Sequence, residues 1–124
     1  MAESAHFSFP FLRLGAMPEC GSTALLPRLI GLGRATEVLL RSRIISAEEA
    51  LQWGLVTQVF SDADLRAGAV AIAEQIAAAG ALQVRLTREM LAANALATDA
   101  EQIMRTESRA FVQMLKALKL GKPL

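Results

Sequence analysis

The sequence has one cysteine, one histidine, no long apolar run and almost no net charge, and each scarcity excludes a class of protein. Because Cys20 has no second cysteine to pair with, no disulfide forms within the chain, and we expect a reducing, cytoplasmic setting. No stretch of about 18 apolar residues occurs, so we expect no membrane-spanning helix. The first residues also lack the basic and apolar segments of a secretory signal.

The balance of charges excludes a further class. Thirteen basic against twelve acidic residues leave no excess for the basic face that nucleic-acid binding requires. The lone histidine, His6, and the lone cysteine do not make a metal-ligand cluster. Apolar residues are abundant instead, at 53% of the chain, and most of them are alanine and leucine. This composition favours helices, and it indicates apolar surface that a partner subunit or another part of the protein covers.

The order of apolar and turn residues predicts about six helices and two short extended segments. The helices are expected at about residues 22–30, 34–41, 47–53, 61–79, 82–96 and 98–118, and the extended segments at residues 4–12 and 55–60. In the last two helices, apolar residues at helical spacing predict the buried faces: Leu82, Leu86 and Met90, then Ile103, Ala110, Phe111, Met114 and Leu118. Two isolated strands do not build a sheet with a two-sided core, so the first strand requires further neighbours.

Helix starts are predicted from pairs of a hydroxyl residue and a carboxyl residue three positions later. The three pairs are Ser46 with Glu49, Ser61 with Asp64, and Thr98 with Glu101. For the first helix, Ser22 or Thr23 is the candidate cap.

Glu19 is the candidate catalytic residue. It is the only acidic residue among residues 7–31, and it lies between Pro18 and a Cys-Gly-Ser-Thr turn. A carboxylate in an apolar pocket becomes a stronger base, which suits general acid/base work. The alternative is that Glu19 is only an acid favoured by the dipole of the helix that follows. Spacing alone supports the two interpretations equally.

The segment FPFLRLGAMPECGSTALLPRLIG, followed by ISAEEALQWGLVTQVF, resembles the crotonase superfamily of enoyl-CoA hydratases and isomerases. The shared features are a proline at a strand end, a Pro-x-x-Gly-Ser turn, LPR with two apolar residues and glycine, and a GLV block. The resemblance covers residues 2–115 and corresponds to the C-terminal half of a family domain. It implies an α/β fragment of the crotonase spiral, mostly helical. Residues 1–60 would hold the end of the spiral core with the catalytic turn, and residues 61–124 a helical trimerisation region.

The resemblance also implies an enzyme of fatty-acid metabolism that acts on an enoyl-CoA thioester. It needs no metal and no separate cofactor, since coenzyme A is part of the substrate. Hydratases of the two-glutamate type place a glutamate directly after the proline of the strand end, and Phe11 stands there. A single acid in the next turn, here Glu19, is similar to the Δ3,Δ2-enoyl-CoA isomerase branch. Glu19 would then carry a proton between C2 and C4, in an acyl pocket lined by Phe11, Leu14 and Met17.

In the family, the oxyanion-hole N–H groups and most of the coenzyme A surface come from segments upstream of the matched region. We therefore expect the 124-residue chain to be inactive without that half, and a trimer or dimer of trimers to form when it is intact. One alternative is a non-catalytic remnant or oligomerisation module. Others are a hydratase, dehalogenase or hydrolase on the same scaffold. The isomerase hypothesis requires Glu19 to lie at an apolar cavity and not in bulk water.

Overall fold

The computed structural model describes residues 1–119 and divides into two compact units, Met1–Gly68 and a second that begins at Ala69. Its elements are β1 (His6–Ser8), α1 (Ser22–Ile30), α2 (Leu32–Arg41), β2 (Ile44–Ser46), α3 (Ala47–Gln52), α4 (Leu65–Ala77), α5 (Ala81–Asn94) and α6 (Ala100–Lys119). A short 3₁₀ helix spans Leu12–Leu14. The expectation of a mostly helical fragment with six helices and two short strands is thus confirmed. The division into residues 1–60 and 61–124 stays a prediction, and residues 120–124 lie outside the described part.

The second strand lies at Ile44–Ser46 and not at residues 55–60, where the sequence predicted it. β1 and β2 pair antiparallel, with Phe7 opposite Ile45. Ile45 is fully buried, and Phe7 packs against the same core. The apolar pair at 44–45 therefore belongs to a strand with one buried face.

Residues 55–60 fail to form a strand because their first N–H groups close the preceding helix. The N–H groups of Leu55 and Val56 both donate to the carbonyl of Ala50, at 2.8 and 3.2 Å. Gly54 makes this reversal possible with a φ of +76°, a value that glycine adopts without steric cost. Only Phe60, at the end of the run, forms a bridge, to the N-terminal segment at Ala2.

The core of the first unit lies between α1, α2, α3 and β2. Its largest fully buried side chains are Val38 and Ile45. Burying a side chain of this size contributes about 1.5–3 kcal/mol relative to leaving it in water. The remaining buried members of the cluster are Leu26, Ile30, Ala35, Leu39 and Ala50.

Two of the four predicted helix starts are confirmed. In the first, the Ser46 Oγ accepts from the Glu49 N–H and the Glu49 carboxylate accepts from the Ser46 N–H, both at 3.2 Å. In the second, the Ser61 Oγ accepts from the Asp64 N–H at 3.1 Å, one residue ahead of α4.

The other two helix starts differ from the prediction. Asp99, and not Thr98, caps α6, since its Oδ1 accepts from the Glu101 N–H at 3.0 Å. The N-cap of α1 is Gly21, so neither Ser22 nor Thr23 caps that helix. Ser22 is instead its first helical residue.

In the second unit, α5 packs against α6. Among the described residues of this unit, Leu86 is buried and the other residues are half-buried or exposed. Parts of the two predicted apolar faces meet between α5 and α6, but the expected burial is only partly correct, because Phe111 and Leu118 are 57% and 44% exposed. These parts line a groove of about 350 Å³ together with polar neighbours, the apolar lining being Leu86, Met90, Ala110, Phe111 and Met114.

Among residues 1–119, no single helix is both long and apolar enough to cross a membrane. α4 and α5 together have the required length and apolar composition, but they are bent by 102° at the break between them.

Candidate active site

Glu19 opens a tight turn that leads into α1. The Glu19 carbonyl accepts from the Ser22 N–H at 3.1 Å, and both central residues have positive φ, +56° at Cys20 and +73° at Gly21. Positive φ at both central residues is typical of a type I′ turn. Glycine adopts such angles without steric cost, whereas cysteine does not. A left-handed residue other than glycine costs about 1–3 kcal/mol and recurs at functional sites. The turn therefore holds Cys20, the residue after Glu19, in a backbone conformation that cysteine does not favour.

The position of this turn argues against the simple helix-acid interpretation of Glu19. The N-cap of α1 is Gly21, so Glu19 precedes the helix by two residues, and the first turn of α1 contains no acid. The favourable effect of a helix dipole on an acid falls off within the first turn. Stabilising α1 thus does not explain a carboxylate at this position.

The four predicted site residues lie in one continuous loop with different exposure. Phe11 is half-buried and packs on the core, while its carbonyl accepts from the N–H groups of Leu14 and Ala16 at 3.0 and 2.8 Å. Leu14 and Met17 are 72% and 77% exposed, and Glu19 is exposed as well. The structure brings Phe11 and Leu14 into one 3₁₀ turn. It leaves the far side of the loop open.

Two cavities lie away from the loop that carries Glu19. One, of about 640 Å³, is bounded by Ala77 and by one side of α5 with Arg85, Arg88 and Glu89, and the other is the α5–α6 groove. Neither includes Glu19. The apolar cavity that the isomerase hypothesis requires beside Glu19 is therefore not formed by these residues.

Arg43 organises a cluster that the sequence analysis missed. It pairs with the Glu49 carboxylate, and its guanidinium lies 5.2 Å from the centre of the Trp53 ring. Arg34 approaches the same ring at 5.3 Å, so the indole has two cationic neighbours. The hydrogen bond from Arg43, helped by the Ser46 N–H, lowers the pKa of Glu49 below its ordinary value of 4.5. The arrangement ties α3 to the start of β2, and the only signal in the sequence was the Ser46–Glu49 pair.

Among residues 1–119, no group of three or more His, Cys, Asp or Glu side chains is placed to hold a metal ion.

Residues 1–122 match the family model described as enoyl-CoA hydratase/isomerase. The chain belongs to this family. Among solved structures, it is similar to an enoyl-CoA hydratase of Bacillus anthracis at 35% identity and a TM-score of 0.83, covering 99% of this chain and 51% of that one. An enoyl-CoA hydratase/isomerase of Cupriavidus metallidurans gives 32% identity, a TM-score of 0.83, and 98% and 49% coverage.

Two further relatives connect the family to coenzyme A thioesters. A carnitinyl-CoA dehydratase of Salmonella typhi is 35% identical over 89 residues, which are 72% of this chain and 34% of the relative. A Thermobifida fusca structure in complex with acetoacetyl-CoA shares 33% identity with a TM-score of 0.83, covering 93% of this chain and 45% of that one. The chain thus spans about half the length of the solved relatives and about a third of the dehydratase.

Proposed function

We propose that a complete domain containing this chain isomerises an enoyl-CoA thioester, with Glu19 as the group that carries the proton. The observation that carries the proposal is the turn itself. It holds the only carboxylate of residues 7–31 directly before the strained residue Cys20, in the same loop as the exposed apolar side chains of Leu14 and Met17. Family membership and the acetoacetyl-CoA complex of a relative support a coenzyme A thioester as the substrate class.

The reaction needs one base and a set of hydrogen-bond donors. The Glu19 carboxylate would remove a proton from C2 of a 3-enoyl-CoA, and the electron pair would spread over a dienolate whose negative charge rests on the thioester oxygen. The protonated Glu19 would then return that proton at C4, which leaves the double bond between C2 and C3. Donors that hold the thioester oxygen are worth roughly 3 kcal/mol each in such reactions. We place those donors in the part of the domain outside this chain.

The loop before Glu19 supplies the apolar surroundings that such a base requires. Phe11 would form the wall that rests on the core, and Leu14 and Met17 would line the acyl chain once the rest of the domain covers them. Water excluded from this loop would strengthen the carboxylate as a base. The isolated 124-residue chain is accordingly proposed to be inactive. We propose that the complete protein is cytoplasmic and assembles as a trimer or a dimer of trimers.

Hydration is the second candidate function, because named relatives include an enoyl-CoA hydratase and a carnitinyl-CoA dehydratase. Adding water to the double bond requires a group that positions or activates the water, besides the proton donor. Phe11 occupies the place where the two-glutamate hydratases carry one of their acids, and a phenyl ring does neither task. The isomerase therefore remains the preferred proposal.

The test uses this chain alone and this chain fused to the portion of the Bacillus anthracis hydratase that lies outside the match. A 3-enoyl-CoA is supplied, and the conjugated 2-enoyl thioester is followed by its ultraviolet absorbance. We expect no turnover by the chain alone and turnover by the fusion, and Glu19→Gln should lower kcat by about 10²–10⁴-fold.

The matched control is Glu48→Gln, which changes another exposed glutamate, on α3, and is expected to leave the rate unchanged. Full activity in the Glu19→Gln fusion would refute the assignment of Glu19. In a parallel assay the fusion receives a 2-enoyl-CoA, and conversion of this substrate to a 3-hydroxyacyl-CoA without any turnover of the 3-enoyl-CoA would establish the hydratase instead.

A further inference from the structure

The hydroxyl of Ser22 is a buried polar group that the proposed reaction does not use. Its Oγ is shielded from solvent and has no hydrogen-bond partner among the described residues. A buried donor without an acceptor is costly, and the large majority of buried polar side-chain atoms in folded proteins have a partner. The orphaned hydroxyl therefore points to an acceptor that lies within reach of Ser22 and is not yet bonded to it.

The position of Ser22 explains why the backbone does not supply this acceptor. Inside a helix, a serine or threonine hydroxyl can donate to the carbonyl four residues earlier, as Thr106 in α6 donates to Gln102 at 3.0 Å. Ser22 is the first residue of α1, and a turn with positive φ at Cys20 and Gly21 precedes it in place of a helical turn. The expected acceptor is therefore a side chain.

Glu19 is the acceptor that the turn places near Ser22. The two residues are the corners of the turn, because the Glu19 carbonyl accepts from the Ser22 N–H at 3.1 Å. The Cα atoms at the corners of a β-turn lie within about 7 Å of each other, a distance that a glutamate side chain can cross. Glu19 also carries the only carboxylate of residues 7–31, and an ionised acceptor makes stronger hydrogen bonds than a neutral one.

Closing the site around a substrate favours this contact. The Glu19 side chain is exposed in the chain described here, so water can hydrogen-bond its carboxylate. When the site closes that water is lost, and an ionised carboxylate then needs hydrogen-bond donors from the protein. The Ser22 hydroxyl is such a donor, and it is already shielded from solvent.

We infer that Ser22 is a positioning residue for Glu19, and that its hydroxyl donates to one carboxylate oxygen of Glu19 in the closed site. The other oxygen stays free to remove the proton from C2 and to return it at C4. While that oxygen carries the proton, the hydroxyl still donates to the first oxygen, so Ser22 itself gains and loses no proton. The inference rests on the proposed function of Glu19 as the base.

The kinetic test measures kcat and KM for a 3-enoyl-CoA in the fusion with the Bacillus anthracis portion. Ser22→Ala should lower kcat about 10-fold and leave KM within about 2-fold, because a carboxylate that is not held is misaligned with C2. Ser22→Thr keeps the hydroxyl and should recover most of the lost rate. Thr23→Ala is the matched control, since it removes an exposed hydroxyl from the next residue of α1, and it should change neither constant.

A crystal structure of the fusion with a bound coenzyme A thioester tests the contact without turnover. The Ser22 Oγ should lie about 2.5–3.0 Å from a Glu19 carboxylate oxygen. A separation beyond hydrogen-bond distance would overturn the inference, and so would an unchanged kcat in Ser22→Ala. If the contact is present and the fusion does not isomerise a 3-enoyl-CoA, the contact is supported and the proposed isomerisation alone is refuted.

Urea denaturation of the isolated chain separates positioning from a structural role. Ser22→Ala should unfold at no lower urea concentration than the wild type, because the Ser22 Oγ makes no hydrogen bond among the described residues. A clearly lower midpoint would show that the hydroxyl stabilises the fold through another partner, and this result would also overturn the inference.

Discussion

The two units of this chain differ in how they bury their apolar residues. In Met1–Gly68, strands and helices from distant parts of the sequence enclose Val38 and Ile45 completely. In the unit that begins at Ala69, α5 and α6 pack face to face around Leu86. Their exposed sides carry ion pairs between residues four positions apart, such as Arg85 with Glu89 at 2.8 Å. Pairs of this kind contribute only about 0.3–0.5 kcal/mol.

The difference shows that similar alanine- and leucine-rich sequences reach stability by different routes. The first unit has tertiary packing of its own and leaves only its outer surface open. The second has helices that local propensity and one interface maintain. Four sets of substitutions test the packing of the two units, and Glu19→Gln tests the candidate site on the first unit.

The largest effect is expected in the first core. Ile45→Ala should lower the free energy of unfolding by about 2–5 kcal/mol, since the cavity lies in a fully enclosed site. Leu86→Ala should cost no more than about 2 kcal/mol, because an open groove already lies beside it. Urea denaturation followed by the fluorescence of Trp53, the only tryptophan, reports the first unit, and circular dichroism reports the helices. Equal costs at the two positions would contradict the contrast between the units.

The next effect concerns Gly68, at the end of the first unit. A Cβ added there would lie 2.3 Å from Cε1 of Phe60, whose N–H and carbonyl are bonded to Met1 and Glu3. Gly68→Ala should therefore destabilise by about 1–3 kcal/mol through overpacking, despite the better helix propensity of alanine.

Gly33→Ala is its matched control. It also lies within a helix, α2, but nothing lies within 4 Å of the added Cβ. We expect stabilisation by about 0.5–1 kcal/mol, measured as a shift of the urea midpoint. If both variants are more stable than the wild type, the ring of Phe60 moves aside at little cost in free energy.

Substitutions at two helix caps compare the stability of the two units directly. Ser46→Ala removes one side of a reciprocal capping box and should cost about 1 kcal/mol. Asp99→Ala removes the single side-chain bond at the start of α6 and should cost about 0.5–1 kcal/mol. Thermal unfolding of both variants measures the order. A larger loss at Asp99 would show that α6 contributes more to stability than its packing indicates.

The smallest effect is a pH dependence at Glu49. Because Arg43 lowers the pKa of Glu49, the carboxylate stabilises the fold above the ordinary value of 4.5, and this contribution is lost as the pH falls through the lowered pKa. Glu49→Gln should therefore be less stable than the wild type at neutral pH and nearly equal to it in strong acid. Repeating the comparison in an Arg43→Gln background should reduce the difference to the part that Ser46 contributes. An unchanged difference there would exclude Arg43 as the main cause.

Local signals predicted most of the helices well. The Ser46–Glu49 box and the Ser61–Asp64 pair depend on neighbours within one turn, and both were confirmed. The errors occurred where a distant partner decides. Residues 55–60 have the composition of a strand, but their N–H groups are used to close α3, while Ile44–Ser46 becomes a strand because β1 lies beside it.

For the candidate site, too, local signals were predicted from the sequence and contacts between distant residues were not. Sequence reasoning found Glu19 and its loop from composition and from the family resemblance, and the structure added the strained turn at Cys20 and Gly21. The Arg43–Trp53 cluster was missed, because its members are ten residues apart and meet only after β2 and α3 have formed. The apolar surroundings expected for Glu19 need walls that the described residues do not supply.

By itself, the sequence determined the helical periodicities, the family and the position of the one acid in an apolar segment, since these are properties of neighbouring residues. Tertiary structure alone decided which short apolar run became the second strand, which leucines of α1 face the core, and that Glu19 stands in the open. These outcomes depend on contacts between residues far apart in the chain, whose free energy appears only when both partners are in place.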